Sequence, residues 1–218
     1  MRERERKAHR LEKKIKVATS LTHLYYLIVC EGEKTEPNYF KALVQGRNSQ
    51  VLTATIDGEG ANTKSLIDIA IKKRDTSPIH FDVVWAVFDK DDFVDFNEAI
   101  EYAKSNGINV AWSNESFELW YYLHFQFLDT QVDRHQYIEM LTREIRKVIP
   151  TFEYCKNDEG MYKLLSEIGN QELGIKNAKA LESRYEDADY ASHNPCTTVY
   201  RLVDELNNPE DVIERLCP

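Results

Sequence analysis

Apolar positions fall in two rhythms along the chain, and the change from one to the other outlines the fold. Leu24–Cys30 is a short, nearly continuous apolar run rich in Tyr, Ile and Val, which predicts a strand buried on both faces. Thr35 then reads as a helix cap, Glu36 and Pro37 suit a first turn, and Tyr39, Phe40, Leu43 and Val44 give an apolar face that Gly46 ends. The β-branched stretch Val51–Ile56 predicts a second strand running into Asp57-Gly58. Asn62 or Thr63 can cap a helix carrying Leu66, Ile67, Ala70 and Ile71 on one side. Phe81–Phe88 predicts a third strand, Val94–Ser105 a helix, and Ile108–Trp112 a fourth strand after Asn106-Gly107. This β-α-β-α-β-α-β alternation predicts an α/β core over residues 21–115, a parallel sheet flanked by helices.

From Ser116 the pattern turns helical, with helices expected over Phe117–Phe125, Arg134–Ile149, Met161–Ile168 and Ile175–Glu186. Another follows Pro195, where Val199, Leu202, Val203 and Leu206 recur at helical spacing. Residues 116–218 therefore read as a C-terminal helical elaboration packed on the core. With 218 residues, core and elaboration together can bury a substantial interior.

Charge changes the picture at one end. Residues 1–16 hold eight Lys or Arg against three Glu, so the net charge of −9 splits into +5 on a basic arm (residues 1–20) and −14 on the rest. An acidic body does not bind nucleic acid through a broad positive field, although the arm or a local groove can hold phosphates; the arm can equally be a solvated helix. Cys30, Cys155, Cys196 and Cys217 are widely separated and form no zinc or disulfide framework, and Cys30 fits a buried strand better than a nucleophile. The longest apolar run is far short of the ~20 residues that span a bilayer, so no membrane is expected and the chain is placed in the cytoplasm.

Two strands end in acids. Leu24–Cys30 leads into Glu31-Gly32-Glu33, and Phe81–Phe88 into Asp89-Lys90-Asp91-Asp92. Ligands of parallel sheets gather at the carboxyl ends of the strands. Residues i and i+2 of an extended segment point the same way, so Asp89 and Asp91 can approach one cation, with Glu31 from the neighbouring strand. Clustered carboxylates repel unless a cation or protons neutralise them, and a hard divalent ion, Mg²⁺ or Mn²⁺, suits all-oxygen donors. Glu33 and Asp92 are further candidate ligands. Lys34 and Lys90 are candidate phosphate contacts or plain surface lysines. Glu118, among large apolar groups, is either a substrate-site acid or a first-turn glutamate. His124 reads as a core histidine, and Lys156-Asn157 and His193-Asn194 as turn residues that can also touch substrate.

Glu31-Gly32 followed by Asp89-x-Asp91 in an alternating α/β chain resembles a toprim domain, the metal-dependent core of topoisomerases, primases and overcoming-lysogenization-defect nucleases. More closely, Val29-Cys30-Glu31-Gly32-Glu33-Lys34-Thr35-Glu36-Pro37-Asn38-Tyr39-Phe40 resembles the opening signature of RloB-like proteins, a toprim-related bacterial family. Ser113-Asn114-x-Ser116-Phe117-Glu118-Leu119-Trp120, Leu123-His124-Phe125 and Asn194-Pro195-x-Thr197 extend the likeness over about residues 24–206. The resemblance implies a toprim-like, Rossmann-like sheet, with Glu31 as general acid or base and Asp89 and Asp91 holding metal. It implies an antiphage effector acting by abortive infection, often beside an ATPase, that cleaves nucleic acid (RNA, in some relatives transfer RNA, or DNA); a homodimer stays open. Asp92 departs from the pattern and adds charge. The competing expectation is a non-catalytic acidic module that docks a partner ATPase or sensor. Topoisomerase and primase readings fit less well, because the chain lacks the length for strand-passage domains and its cysteines make no zinc ribbon; it has no Walker-type loop, so any nucleotide-driven regulation is expected from another protein.

Overall fold

The computed structural model describes residues 23–47, 51–60, 62–90 and 95–217. The basic arm, Asp91 and Asp92 lie outside the described residues. Five strands, β1 (Leu24–Cys30), β2 (Leu52–Gly58), β3 (Val83–Asp89), β4 (Asn109–Asn114) and β5 (Cys196–Thr197), form one sheet in the order β2-β1-β3-β4-β5. The first four are parallel, as the alternation predicts. Two-residue β5 is the exception, pairing antiparallel with β4 at Ser113↔Thr197 and Asn114↔Cys196. It is too short to leave a periodic signal.

Helices cover both faces, which is why β1 and β3 are apolar without alternation. Leu24, Tyr26, Ile28 and Cys30 point to one face and meet Tyr39, Phe40 and Leu43 of α1 (Thr35–Gln45). Leu27 and Val29 point to the other, against Leu66, Ile67 and Ala70 of α2 (Thr63–Thr76) and Phe96, Ile100 and Ala103 of α3 (Phe96–Ser105). Asn62 is the α2 cap, its side chain accepting the Ser65 N–H at 3.0 Å. Thr35 does not cap α1; Lys34 occupies that position without a side-chain bond.

The helical half comprises α4 (Glu118–Leu123), α5 (Arg134–Arg146), α6 (Met161–Ile168), α7 (Gln171–Glu182), α8 (Val199–Asn207) and α9 (Pro209–Leu216). The predicted helices over 117–125 and 134–149 close earlier, and the one predicted from Ile175 opens at Gln171. Asn170 caps it by accepting the Leu173 N–H, a signal hidden by the polar Gln171-Glu172 start. Helix α9, opened by Pro209, was not anticipated. Phe117, Trp120, Tyr137, Leu141, Leu165, Leu181 and Leu202 belong to the same apolar cluster as the β1 and α1 side chains, so this half shares the sheet's core.

Two of the quoted motifs meet at β4. The Ser113 and Thr197 hydroxyls are 2.9 Å apart and buried, and the Trp112 N–H donates to Thr198 Oγ1 at 2.9 Å. No helix among the described residues is long and apolar enough to cross a membrane.

Candidate functional site

The chain leaves β1 toward β2 on one side and returns through β3 on the other, so the β1/β3 boundary is the sheet's topological switch point. Loops diverge there and leave a crevice at the carboxyl ends. Glu31 and Asp89 flank it. The Glu31 N–H continues the ladder to the Val87 carbonyl at 2.8 Å, and Glu31 Oε2 accepts the Asp89 N–H at 3.1 Å. Asp89 Oδ2 accepts the Phe117 N–H at 3.1 Å. Asp89 Oδ1 is buried with no hydrogen-bond partner among the described residues. An orphaned carboxylate oxygen is costly unless a proton or a cation takes it.

Gly32 brings a further acid in. A Cβ at Gly32 would stand 2.1 Å from Glu36 Oε2, so only glycine lets the Glu36 carboxylate fold over this turn. Gly58, at the end of β2, serves the same turn from below: a Cβ there would lie 2.5 Å from the Gly32 carbonyl oxygen. Glu118, buried at the start of α4, completes the group and accepts the Tyr154 hydroxyl at 2.6 Å.

Glu31, Glu36, Asp89 and Glu118 thus act on one another electrostatically. Burial, then Glu36, Glu118 and Glu31, hold the Asp89 carboxyl well above the usual carboxylate range, against the opposing Phe117 N–H. Burial pushes Glu36 up to about 7, with Glu118 adding to the rise and backbone N–H groups, Lys156 and Gly32 restraining it. At neutral pH the apo cluster therefore carries shared protons or unrelieved charge. Glu36, Asp89 and Glu118 border a cavity of about 270 Å³, which Arg134, Lys156 and Asn157 also line; Glu31 stands behind Asp89 and does not line it.

The donors suit a hard divalent cation in kind, being anionic oxygens with one unused buried acceptor. Among the described residues, however, no group of three or more His, Cys, Asp or Glu side chains is arranged to hold a metal ion. Mg²⁺ tolerates this better than Zn²⁺ or Ca²⁺, because it keeps several waters and is commonly held by one or two carboxylates together with substrate phosphates. Asp89 and Glu31 are the residues that would supply those carboxylates.

Of the acids expected in the site, Glu31, Asp89 and Glu118 come together, and Asp91 and Asp92 fall outside the described residues. Glu33 is exposed at the cavity edge, its carboxylate against Gly60. Lys34 is exposed and lines neither this cavity nor its neighbour, whereas Lys90 lines the neighbour. His124 is buried with Nδ1 2.9 Å from the Trp120 carbonyl oxygen, and burial lowers it to about 4, so it is a neutral core histidine. His193 stacks on Tyr185 and bonds Asp187. Lys156-Asn157 is a turn beside the acids, as anticipated: Asn157 has φ 76° and its carbonyl accepts the Asn38 amide at 3.2 Å, and both residues line the cavity. Glu36 is the acid that the sequence reading left out. Its signal was present, since Glu36 precedes Tyr39, Phe40 and Leu43 by three, four and seven residues and so shares the buried face of α1.

The acids thus stand at the switch point of a mostly parallel α/β sheet, the place where sheets of this kind gather their ligands. The chain belongs to the RloB-like protein family, whose model matches residues 26–206. No curated protein and no solved structure matches it.

Proposed function

We propose that the chain is a Mg²⁺-dependent toprim-type nuclease that hydrolyses phosphodiester bonds in RNA, transfer RNA among the candidates, or in DNA. The observation that supports this most is Asp89: a buried carboxylate at the carboxyl end of β3, ringed by Glu31, Glu36 and Glu118, with one oxygen unused. Hydrolysis needs a proton removed from the attacking water, charge neutralised on the non-bridging oxygens, and a proton delivered to the leaving oxygen. Mg²⁺, when bound, supplies the neutralising charge. Asp89 and Glu31 would hold it, and Asp91 is the sequence candidate to add a ligand. Glu31, half-buried at the end of β1 beside Asp89, is the group proposed to carry a proton between water and leaving oxygen. Glu36 keeps the crevice floor negative and turns away anionic substrate until a cation is present. The family resemblance suggests the setting, an antiphage effector toxic when released and restrained by a partner ATPase.

The second reading is an acidic docking module without chemistry, which the lack of a three-ligand group among the described residues favours. Glu31→Gln separates the two. It should abolish cleavage in Mg²⁺ and Mn²⁺ while leaving the melting temperature in EDTA intact. Undiminished cleavage by the variant sinks the assignment of Glu31 as the proton-transfer group. No cleavage by the wild type, with partner capture surviving the double change Asp89→Asn and Asp91→Asn, sinks both.

A further inference from the structure

The carboxyl end of β4 opens into a second cavity, of about 570 Å³, that the acids of the crevice do not occupy. Its size is that of a small-ligand site, but its walls are not apolar: Lys90, Asn114, Glu115, Gln131, Arg134 and Asn194 supply most of them. A hydrophilic ligand with many hydrogen-bonding groups suits such walls.

Arg134 lines both cavities. It is the first residue of α5, whose start is fixed by the Asp133–Gln136 capping box, and its guanidinium lies 3.4 Å from the Glu115 carbonyl oxygen. One planar cation therefore stands on the boundary between the carboxylates and the polar cavity. A phosphate bound across that boundary would have the acids on one side and the amide-lined space on the other.

The amides themselves are partly committed. Asn114 donates to the Ala191 carbonyl at 3.0 Å, and Asn194 donates to Glu115 Oε1 at 3.3 Å. Each amide has a second N–H by valence, and the Glu115 carboxylate has further lone pairs. Donors and acceptors are thus both present around the space, as they are along the edge of a nucleobase.

We infer that this cavity receives the base adjoining the scissile phosphate of a single-stranded polynucleotide, with Arg134 gripping the intervening phosphate. The inference rests on the nuclease reading proposed above. Single strands are specified because a base enters a walled cavity only when unstacked and unpaired. The charge of −14 outside the basic arm agrees, since an acidic body opposes holding a duplex through a broad positive field and favours local cations and base edges.

The test uses the full chain carrying Glu31→Gln, which binds without cutting, and labelled RNA and DNA oligonucleotides read by fluorescence anisotropy in Mg²⁺. Single strands should bind at least about tenfold tighter than a duplex of the same sequence, and Arg134→Ala should weaken binding by about tenfold. The RNA and DNA arms decide which polymer is preferred. In the chain with Glu31 restored, sequencing of cut ends should show a base preference beside the cut that Gln131→Ala changes. Equal binding of duplex and single strand, or binding indifferent to Arg134→Ala, overturns the inference. So does cleavage that persists with an unchanged base beside the cut in Gln131→Ala, although the nuclease reading then stands. If the wild type cuts neither polymer, the nuclease reading falls, and the anisotropy arm still decides whether the cavity takes a base.

Discussion

Replacing Glu36 by Gln isolates the electrostatic cost of the acidic crevice. In the folded chain burial raises this carboxyl from 4.5 to about 7, so between those values the native state holds a proton that the unfolded chain has released. A group of this kind contributes stability that is fully present below about pH 4.5 and is lost as pH rises through about 7. At about 1.36 kcal/mol per pH unit, a rise of roughly 2.5 units corresponds to about 3 kcal/mol of native-state penalty at pH 8. Gln keeps the shape and can accept the same backbone N–H groups, but carries no charge for Glu118 and Asp89 to repel. For a domain of this size each kcal/mol moves the melting point by about 2–4 °C, so Glu36→Gln should melt about 6–12 °C above the wild type at pH 8. Near pH 5 the gap should fall to under about 1 kcal/mol, because the folded wild-type carboxyl is then itself protonated. Thermal melts in EDTA at steps from pH 5 to 8 measure the difference, in which titrations elsewhere cancel. Identical melting points at pH 8, or a gap just as wide at pH 5, would refute the reasoning.

The same crevice yields further expectations. Mg²⁺ should stabilise the wild type by about 2.7 kcal/mol at one hundred times its dissociation constant at pH 8, and the same Mg²⁺ concentration far less at pH 5.5, where Glu36 is protonated and protons compete with metal for the raised Asp89 carboxyl; an equal melting shift at both pH values contradicts a carboxylate site. Gly32→Ala puts a methyl group 2.1 Å from Glu36 Oε2 and should cost about 1–3 kcal/mol in EDTA while blunting the Mg²⁺ response, with wild-type melts in both conditions as the disproof. Tyr154→Phe removes the hydroxyl that bonds Glu118 at 2.6 Å, and urea unfolding at pH 7.5 should show a loss of about 1.5–3 kcal/mol. An unchanged urea midpoint would refute this.

Hydrophobic rhythm carried the α/β core because both faces of β1 and β3 are covered, which makes Leu24–Cys30 and Val83–Phe88 unbroken apolar runs. The rhythm says nothing about β5, whose two residues are held by the Ser113–Thr197 and Trp112–Thr198 hydrogen bonds and not by a pattern of their own. Glu31 and Asp89 were legible from their place at strand ends. Glu36 was not, because an acid in a helix's first turn has an ordinary explanation in the helix dipole. Its contact with Gly32 depends on how α1 folds back over the β1 turn. Arg134 and Lys156 were further out of reach, since they arrive from helices and loops about a hundred residues away along the chain, and no local spacing encodes that meeting.

The hydrogen bonds that hold the acids come from far-apart stretches: Gly32 to Glu36, Phe117 to Asp89, and Tyr154 to Glu118. During synthesis these donors leave the ribosome in that order. A growing or proteolytically clipped chain that ends before residue 154 holds β1 and β3 and their acids, but lacks the hydroxyl that steadies Glu118 and the Lys156 charge that tempers Glu36. The crevice is therefore completed late, and its finished form reports that most of the polypeptide has been made and folded.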